Sequence, residues 1–393
     1  VDTLPARPVR YDPLDAATLA DPYPVLAALR TQAPAVWHDG MECWLITRYA
    51  DCVRVLRDHT RFARDPRRLG RTVPDASLSV QVLDPPHQAP ARSLFMTALH
   101  QQDLPALQQR TFESAASRLA ALTGEPSWEA MRELAQPIAL AAIADLLGVT
   151  PPPVEEWVQV SDTIMRSMDG GLDPGLIEPG RRARQQLSYL VASWFTTTGR
   201  PTGLLGHVRA GTENAGPEHA AYAIHTARVM FQGGYSTLTA AIGNLLDTLA
   251  RRPDVLTALR ERPGLVPLAV DELVRFDGPV QGTTRLAAVD LSIGDVAVRR
   301  GEKVTVLFAA ANRDPDAFTT PNALVLDRSP NRHLGYGWGT HACLGTVMAQ
   351  RVLTALVEAL LDTGQVLRPA GPARRRRTAT MRTFAHLPLS LQP

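Results

Sequence analysis

The chain has 393 residues, with 41 Lys and Arg against 39 Asp and Glu and a formal net charge of +2. A balance this close gives no global drive toward nucleic acid, and no apolar run approaches the roughly 20 residues of a membrane-spanning helix. The three cysteines, Cys43, Cys52 and Cys343, cannot make a paired disulfide framework and no apolar core follows Asp2, Arg7 and Arg10 as in a signal peptide, so a cytoplasmic protein is expected.

Residues up to about 20 are rich in proline and are expected to lie along the surface. Residues 23–29 read as a short helix, 36–37 and 43–47 as two strands around the turn at Asp39-Gly40, and 49–56 as a helix. Residues 60–83 are charged and irregular, and a loop of that length in a compact domain is usually functional or disordered. Asp84-Pro85-Pro86 halts the chain before a helix carrying Arg92, Leu94, Phe95 and Leu99. Helical patterns follow at about 104–122, 132–147, 153–168 and 178–198. The break at 168–175 is rich in Gly and Pro, as suits a mobile connection.

From about 218 to 250 runs one long helical pattern, apolar on most sides between Val229 and Leu249, as in a buried central helix. Gly233 and Gly234 inside it each cost about 1 kcal/mol relative to alanine. Close packing against a flat ligand, or a local opening of the helix, would account for them. Gln232 beside them either touches a substrate or bonds to another helix. In the helix at 265–276, Glu272 and Arg275 stand three apart on one face, the spacing of an ion pair. Residues 304–307 read as a strand, and the basic run Arg374-Arg375-Arg376-Arg377 as a solvated hairpin edge.

Between these last two lies His333-Leu334-Gly335-Tyr336-Gly337-Trp338-Gly339-Thr340-His341-Ala342-Cys343-Leu344-Gly345. After Gly345, apolar residues recur at helical spacing from Val347 to Leu361. Cys343 therefore sits where a loop enters a helix, and the amides and macrodipole there favour an anion and lower a thiol's pKa. Such a position holds a thiolate, a haem-iron ligand that promotes O–O cleavage; the alternative is a buried structural cysteine.

The run from Tyr336 to Gly345 resembles the cysteine-ligand loop of the cytochrome P450 family, Phe-Gly-x-Gly-x-His-x-Cys-x-Gly, with Tyr336 replacing the usual phenylalanine. The resemblance extends from near residue 20 to the C-terminus. It implies a mainly α (α+β) fold in one domain, 1–393, with a long central helix, a small β-sheet region and a peripheral N-terminal stretch. It implies haem b with Cys343 as metal ligand, surrounded by Gln88, Arg92, Gly233, Arg285, Tyr336, Gly337, His341 and Gly345. Arg92, Arg285 and His341 would neutralise the propionates. The block Gly233-Gly234-Tyr235-Ser236-Thr237 resembles Ala/Gly-Gly-x-Asp/Glu-Thr, which makes Thr237 and Ser236 the catalytic candidates. Thr237 matches the threonine that hydrogen-bonds bound oxygen or its attendant water. Ser236 stands where the family has a proton-relaying acid; a serine–water chain, peroxide, a substrate group or chemistry other than hydroxylation are the alternatives. Glu272 and Arg275 match a buried structural pair that braces the segment before the cysteine loop. Val229, Gln232, Gly233, Val280, Gln281 and Met381 are the expected substrate contacts. Ala349-Gln350-Arg351-Val352 departs from the family's Ala-Arg-x-Glu.

The implied activity is insertion of one oxygen atom from O2 into a small, fairly apolar secondary metabolite: a terpenoid, polyketide or peptide-derived scaffold. Electrons are expected from ferredoxin and ferredoxin reductase, the ferredoxin docking near Arg92 and Arg332. A monomer is expected, without nucleic-acid or membrane partners. Two alternatives remain: a haem-thiolate oxidase coupling rings without oxygen insertion, and a non-catalytic haem-binding sensor or carrier, against which Thr237 and the long lid that the resemblance implies around 168–175 speak.

Overall fold

The structure, a computed structural model, describes residues 9–196, 202–213 and 215–393. Eight helices frame the site: α1 (Gln88–His100), α2 (Leu104–Leu122), α3 (Gln136–Leu147), α4 (Val154–Arg166), α5 (Ile177–Thr196), α6 (Pro217–Arg251), α7 (Val266–Asp277) and α8 (Thr346–Asp362). A single π turn, Met131–Ala135, occupies the start of the pattern expected from residue 132. The helix end expected at 198 and the first eight residues lie outside the described residues.

The central helix α6 starts with Pro217 at its first position, where a missing N–H costs nothing. Phe231, Leu238, Ile242, Leu246 and Leu249 on its different faces are all buried, so it is packed on nearly every side as its all-round apolar pattern requires. α8 buries Met348, Val352, Leu353, Leu356, Val357 and Leu360 at helical spacing, packing against α2 and α7. Each such side chain is worth roughly 1.5–3 kcal/mol. This anchors the helix whose first turn follows Cys343.

Beside the helices lies a five-stranded sheet of β1 (Val36–His38), β2 (Cys43–Ile46), β3 (Phe62–Ala63), β4 (Gly282–Ala287) and β5 (Lys303–Leu307). The order is β1-β2-β5-β4-β3. Only β2 and β5 pair in parallel, Cys43 facing Lys303. Residues two apart share a face of a strand, so β4 places Thr283 and Arg285 together. A three-stranded antiparallel sheet joins Trp128–Glu129, Pro388–Gln392 and Val366–Pro369.

The C-terminal hairpin corrects one expectation. Arg374 and Arg377 are exposed, as a solvated hairpin edge requires, but Arg375 and Arg376 turn inward: the Arg375 side chain is 12% exposed and pairs with Asp277 at 3.2 Å, and half-buried Arg376 pairs with Asp162 of α4. Asp277 also accepts from Tyr23 Oη and Arg382 Nε, both at 2.6 Å. Arg382 in turn donates to the carbonyls of Leu19 and Ala20, which ties the N-terminal stretch to the hairpin from residue 19 onward. The hairpin tip hangs from buried Asp169 in the α4–α5 connection. That carboxylate accepts from Ala379 N (2.8 Å), Thr380 N (3.1 Å) and Thr380 Oγ1 (2.7 Å).

Candidate functional site

The loop before α8 folds back on itself. Gly337 and Gly339 adopt φ of +69° and +73°, and a Cβ at Gly339 would sit 2.4 Å from the Leu56 carbonyl oxygen, so only glycine fits there. Gly337 N donates to Leu334 O at 2.8 Å and Cys343 N to Tyr336 O at 2.9 Å. Gly345 N donates to Cys343 Sγ at 3.3 Å and Thr346 Oγ1 to the Cys343 carbonyl at 3.1 Å. Cys343 is exposed. Yet the surrounding protein dehydrates its thiol and pushes the pKa up, against the Gly345 amide, the Thr346 hydroxyl and the charge of Arg92. The helix start was expected to lower this pKa; dehydration outweighs it. The side chain is thus accessible while its sulfur is crowded by protein. The Tyr336 hydroxyl is buried without a partner.

On α6, Val229, Gly233 and Thr237 stand four apart on one face and remain partly exposed, while Phe231 and Tyr235 between them are buried. The two glycines have different causes. A Cβ on Gly234 would meet Ile143 Cδ1 of α3 at 2.6 Å, whereas a Cβ on Gly233 meets nothing within 4 Å. Gly234 thus serves close helix packing, and Gly233 borders open space. Of the two accounts offered for the glycines, a local opening of the helix is absent, since α6 is continuous from Pro217 to Arg251. Thr237 Oγ1 donates to Gly233 O at 2.6 Å and Ser236 Oγ to Gln232 O at 2.8 Å, the usual resting bonds of helical hydroxyls. Of the two readings of Gln232, the bond to another helix is the one present: its Nε2 donates to Ser161 Oγ of α4 at 2.8 Å, leaving buried Oε1 without a partner.

His341 and the segment after β3 converge on a carboxylate that the sequence offered only as a helix stop. Asp84 Oδ1 accepts from His341 Nε2 at 3.0 Å, and Oδ2 from Arg64 N (2.9 Å), Asp65 N (3.1 Å) and Arg68 Nη1 (3.1 Å). The other ring nitrogen of His341 accepts from Gln88 Nε2 at 3.0 Å. Both His341 nitrogens therefore have protein partners, which leaves the arginines as the unpaired donors of the expected set. Arg285 is 4% exposed and bonds Thr283 Oγ1 (3.2 Å) and Thr284 O (3.0 Å) but no carboxylate. Arg92 has no ion-pair partner among the described residues; the charge it feels is Cys343.

Burial alone would raise the Asp84 pKa, but the bonds from His341, Asp65 N, Arg68 and Arg64 N outweigh it and hold it at about 2. Because the folded value lies below the ordinary 3.8, this stabilisation is present above about pH 4 and is lost as pH falls toward 2. It amounts to about 2 kcal/mol. Asp84→Asn is expected to lower stability at neutral pH by at least about that amount and to flatten acid unfolding between pH 4 and 2, as read by circular dichroism. An unchanged acid profile would remove Asp84 as the hub.

Val280 and Met381 form an isolated antiparallel bridge, and Met381 is 4% exposed. Gln281, the next extended residue, faces the other way: its Nε2 donates to Gly278 O at 3.0 Å, and it lines a narrow crevice with Tyr11, Thr18 and Arg375. The expected trio thus separates, with Gln281 on the outer side. Glu272 and Arg275 have wholly buried side chains joined by two bonds of 2.7 and 2.8 Å. Arg275 also donates to the carbonyls of Asn312, Pro321 and Ala323, and Glu272 accepts from Arg328 Nε and Val325 N. The pair thereby fastens α7 to the segment leading to the cysteine loop.

These residues fit a haem. The site offers one accessible thiol, a helix face cleared at Gly233, and two guanidiniums without a paired carboxylate, Arg285 buried and Arg92 half-buried, that call for an anion. Among the described residues no group of three or more His, Cys, Asp or Glu could hold a metal ion; a metal at Cys343 brings its other ligands with it, as haem iron does.

The comparisons agree. A family profile described as Cytochrome P450 matches residues 264–385. The chain is 30% identical over 341 residues to the mycinamicin VIII C21 methyl hydroxylase of Micromonospora griseorubida, covering 84% of this chain and 85% of that one. It is 30% identical over 355 residues to the 20-oxo-5-O-mycaminosyltylactone 23-monooxygenase of Streptomyces fradiae, covering 87% and 82%. Among solved structures, CalO2 superposes with a TM-score of 0.84 at 27% identity, over 98% of this chain and 99% of that one. The PksS cytochrome of Bacillus subtilis 168 shares the fold with a TM-score of 0.85, over 98% and 100%. The chain belongs to the cytochrome P450 family, as a haem-thiolate monooxygenase.

Proposed function

We propose that this monooxygenase hydroxylates a fairly apolar secondary metabolite, of terpenoid, polyketide or peptide-derived type, using haem b and electrons from ferredoxin and ferredoxin reductase. The accessible, loop-held sulfur of Cys343 carries this reading. Relatives named for hydroxylation of mycinamicin VIII and for 23-oxygenation of a mycaminosyltylactone support oxygen insertion over ring coupling or carriage. Among the described residues no helix is long and apolar enough to cross a membrane. Free thiols at Cys43 and Cys52 support a reducing, cytoplasmic setting. We read the chain as one domain acting as a monomer.

When bound, haem iron with a thiolate ligand supplies activation of O2 and transfer of an oxygen atom. The chain's part is to hold, orient and exclude. Cys343 is the iron ligand, and Arg92 and Arg285 answer the propionates. Gln88 fixes His341 through Nδ1 and Asp84 fixes it through Nε2. Gly337 shapes the loop, Tyr336 O holds the Cys343 amide, and Gly345 donates to its sulfur. Gly233 leaves open space where a bound cofactor and its substrate would need it, and Val229, Val280 and Met381 would supply apolar wall. Gln232 reaches substrate only through its free Oε1. Thr237 holds a proton at Oγ1 that now rests on Gly233 O; turning toward the site, it can donate there. Ser236 carries a hydroxyl where an acid would relay protons, so bound water must complete the path.

The test is the spectrum of reduced protein under CO, then product mass with a surrogate ferredoxin system. A red-shifted Soret band and a product heavier by one oxygen are expected; a product lacking hydrogen but gaining no oxygen would favour ring coupling. Thr237→Ala is expected to keep its haem and to lower product per NADH at least about tenfold, the difference appearing as hydrogen peroxide. Equal coupling in both proteins would remove Thr237 as the proton donor.

A further inference from the structure

β3 ends at Ala63, opposite Leu286 of β4, and the next residue, Arg64, turns its side chain back along β4. Arg64 Nη1 donates to Thr283 Oγ1 and, at 3.0 Å, to Thr284 O, while its Nε donates to Gln81 O at 3.0 Å. Arg285 Nη1 uses the same two acceptors, Thr283 Oγ1 and Thr284 O. Two nitrogens that each lie 3.0 Å from one carbonyl oxygen are no more than about 6 Å apart.

Two guanidiniums this close repel, more strongly the less water surrounds them. Dehydration foremost, and then the charge of Arg64, pull the Arg285 pKa down to about 9 against the attraction of Asp84. Dehydration lowers that of Arg64 as well. Asp84 is the near carboxylate, but its oxygens are taken by His341, Arg68 and two backbone amides, and neighbouring Asp65 is paired with Arg67. Two like charges this close, Arg285 buried and Arg64 half-buried, are costly when the one nearby carboxylate is already engaged elsewhere. The arrangement is explained by an anion that two forked donors can share, and a carboxylate has the matching geometry.

We propose that Arg64 is a second cofactor-positioning residue, forming with Arg285 a twin-guanidinium seat for a haem propionate. This rests on the haem reading of the site. A propionate is preferred to a substrate carboxylate because Asp84 links the Arg64 amide directly to His341, two residues from Cys343, so the seat belongs to the cysteine-loop side.

Arg64 also ties the 60–83 loop to β4, so the test must separate charge from bracing. Substrate-free holoenzyme is compared as wild type, Arg64→Gln and Arg64→Lys. Lysine keeps the charge but loses the fork, and guards against a variant that fails to fold. The readouts are the rate of haem transfer to apomyoglobin and the midpoint potential by spectroelectrochemical titration. Arg64→Gln is expected to release haem about tenfold faster and to shift the potential negative, because a positive charge near the ferric centre is lost. Arg64→Lys is expected to hold the wild-type potential. Equal shifts in both variants would reduce Arg64 to a brace and overturn the proposal. Wild-type haem transfer and potential in Arg64→Gln, with weakened spectral shifts only for carboxylate-bearing compounds, would also overturn it. A wild-type protein without a haem-thiolate spectrum would overturn the haem reading itself, a result separate from either.

Discussion

Glu272→Gln is expected to cost about 3–5 kcal/mol of stability and to yield haem-poor protein. The substitution is nearly isosteric, so packing is preserved and charge alone is removed. What remains is two guanidiniums, Arg275 and Arg328, that both turned to one carboxylate at 2.7–3.0 Å in a dry interior. A glutamine keeps one oxygen, so the donors at one of the two carboxylate positions, Val325 N and Arg275 Nη2 or Arg275 Nε and Arg328 Nε, lose their acceptor as well. Arg275→Met is expected to cost a similar amount, because Glu272 then keeps only Arg328, the Val325 amide and a long contact to Asn331, while the carbonyls of Asn312, Pro321 and Ala323 lose a donor. Arg328→Met should cost less, since the central pair survives it. Thermal unfolding with haem content per chain checks the order. A loss below about 1 kcal/mol for Glu272→Gln, the range of an exposed pair, would mean that the brace is dispensable.

Cys343→Ser is expected to abolish the red-shifted CO band and bring turnover to background. The thiol is raised by dehydration in the protein alone, and a bound metal cation is what reverses that, because a coordinating thiol is deprotonated outright. A serine hydroxyl, far less acidic, cannot supply the electron-rich sulfur that favours O–O cleavage. The loop itself should persist, since Gly337, Gly339 and the Cys343 amide are held by backbone contacts. The measurement is the absorption spectrum of purified variant, oxidised and reduced under CO. An unaltered spectrum would displace Cys343 from the iron.

Much of this was legible in the chain because its information is local. The glycine spacing before Cys343, the three-residue step from Glu272 to Arg275 and the apolar stretch around Gly233 each announce themselves within a dozen residues. What stayed hidden depends on pairings across long separations. Asp84 meets His341 across 257 positions, Arg64 meets Thr283 across 219, and Arg375 meets Asn244 across 131. No periodicity records those meetings. Arg375 and Arg376 therefore looked like a solvated edge, and Asp84 like a mere stop before α1. The two glycines of α6 show the same limit at short range: both were visible, but only the position of Ile143 distinguishes one from the other.

The carboxylate of Asp169 binds the hairpin tip to the connection between α4 and α5 through three bonds. The α4–α5 connection and the hairpin tip are thus one mechanical piece. Descendants of this enzyme that acquire a new substrate would have to recut both in step, and grafting a foreign hairpin alone would leave a buried anion with nothing to hold.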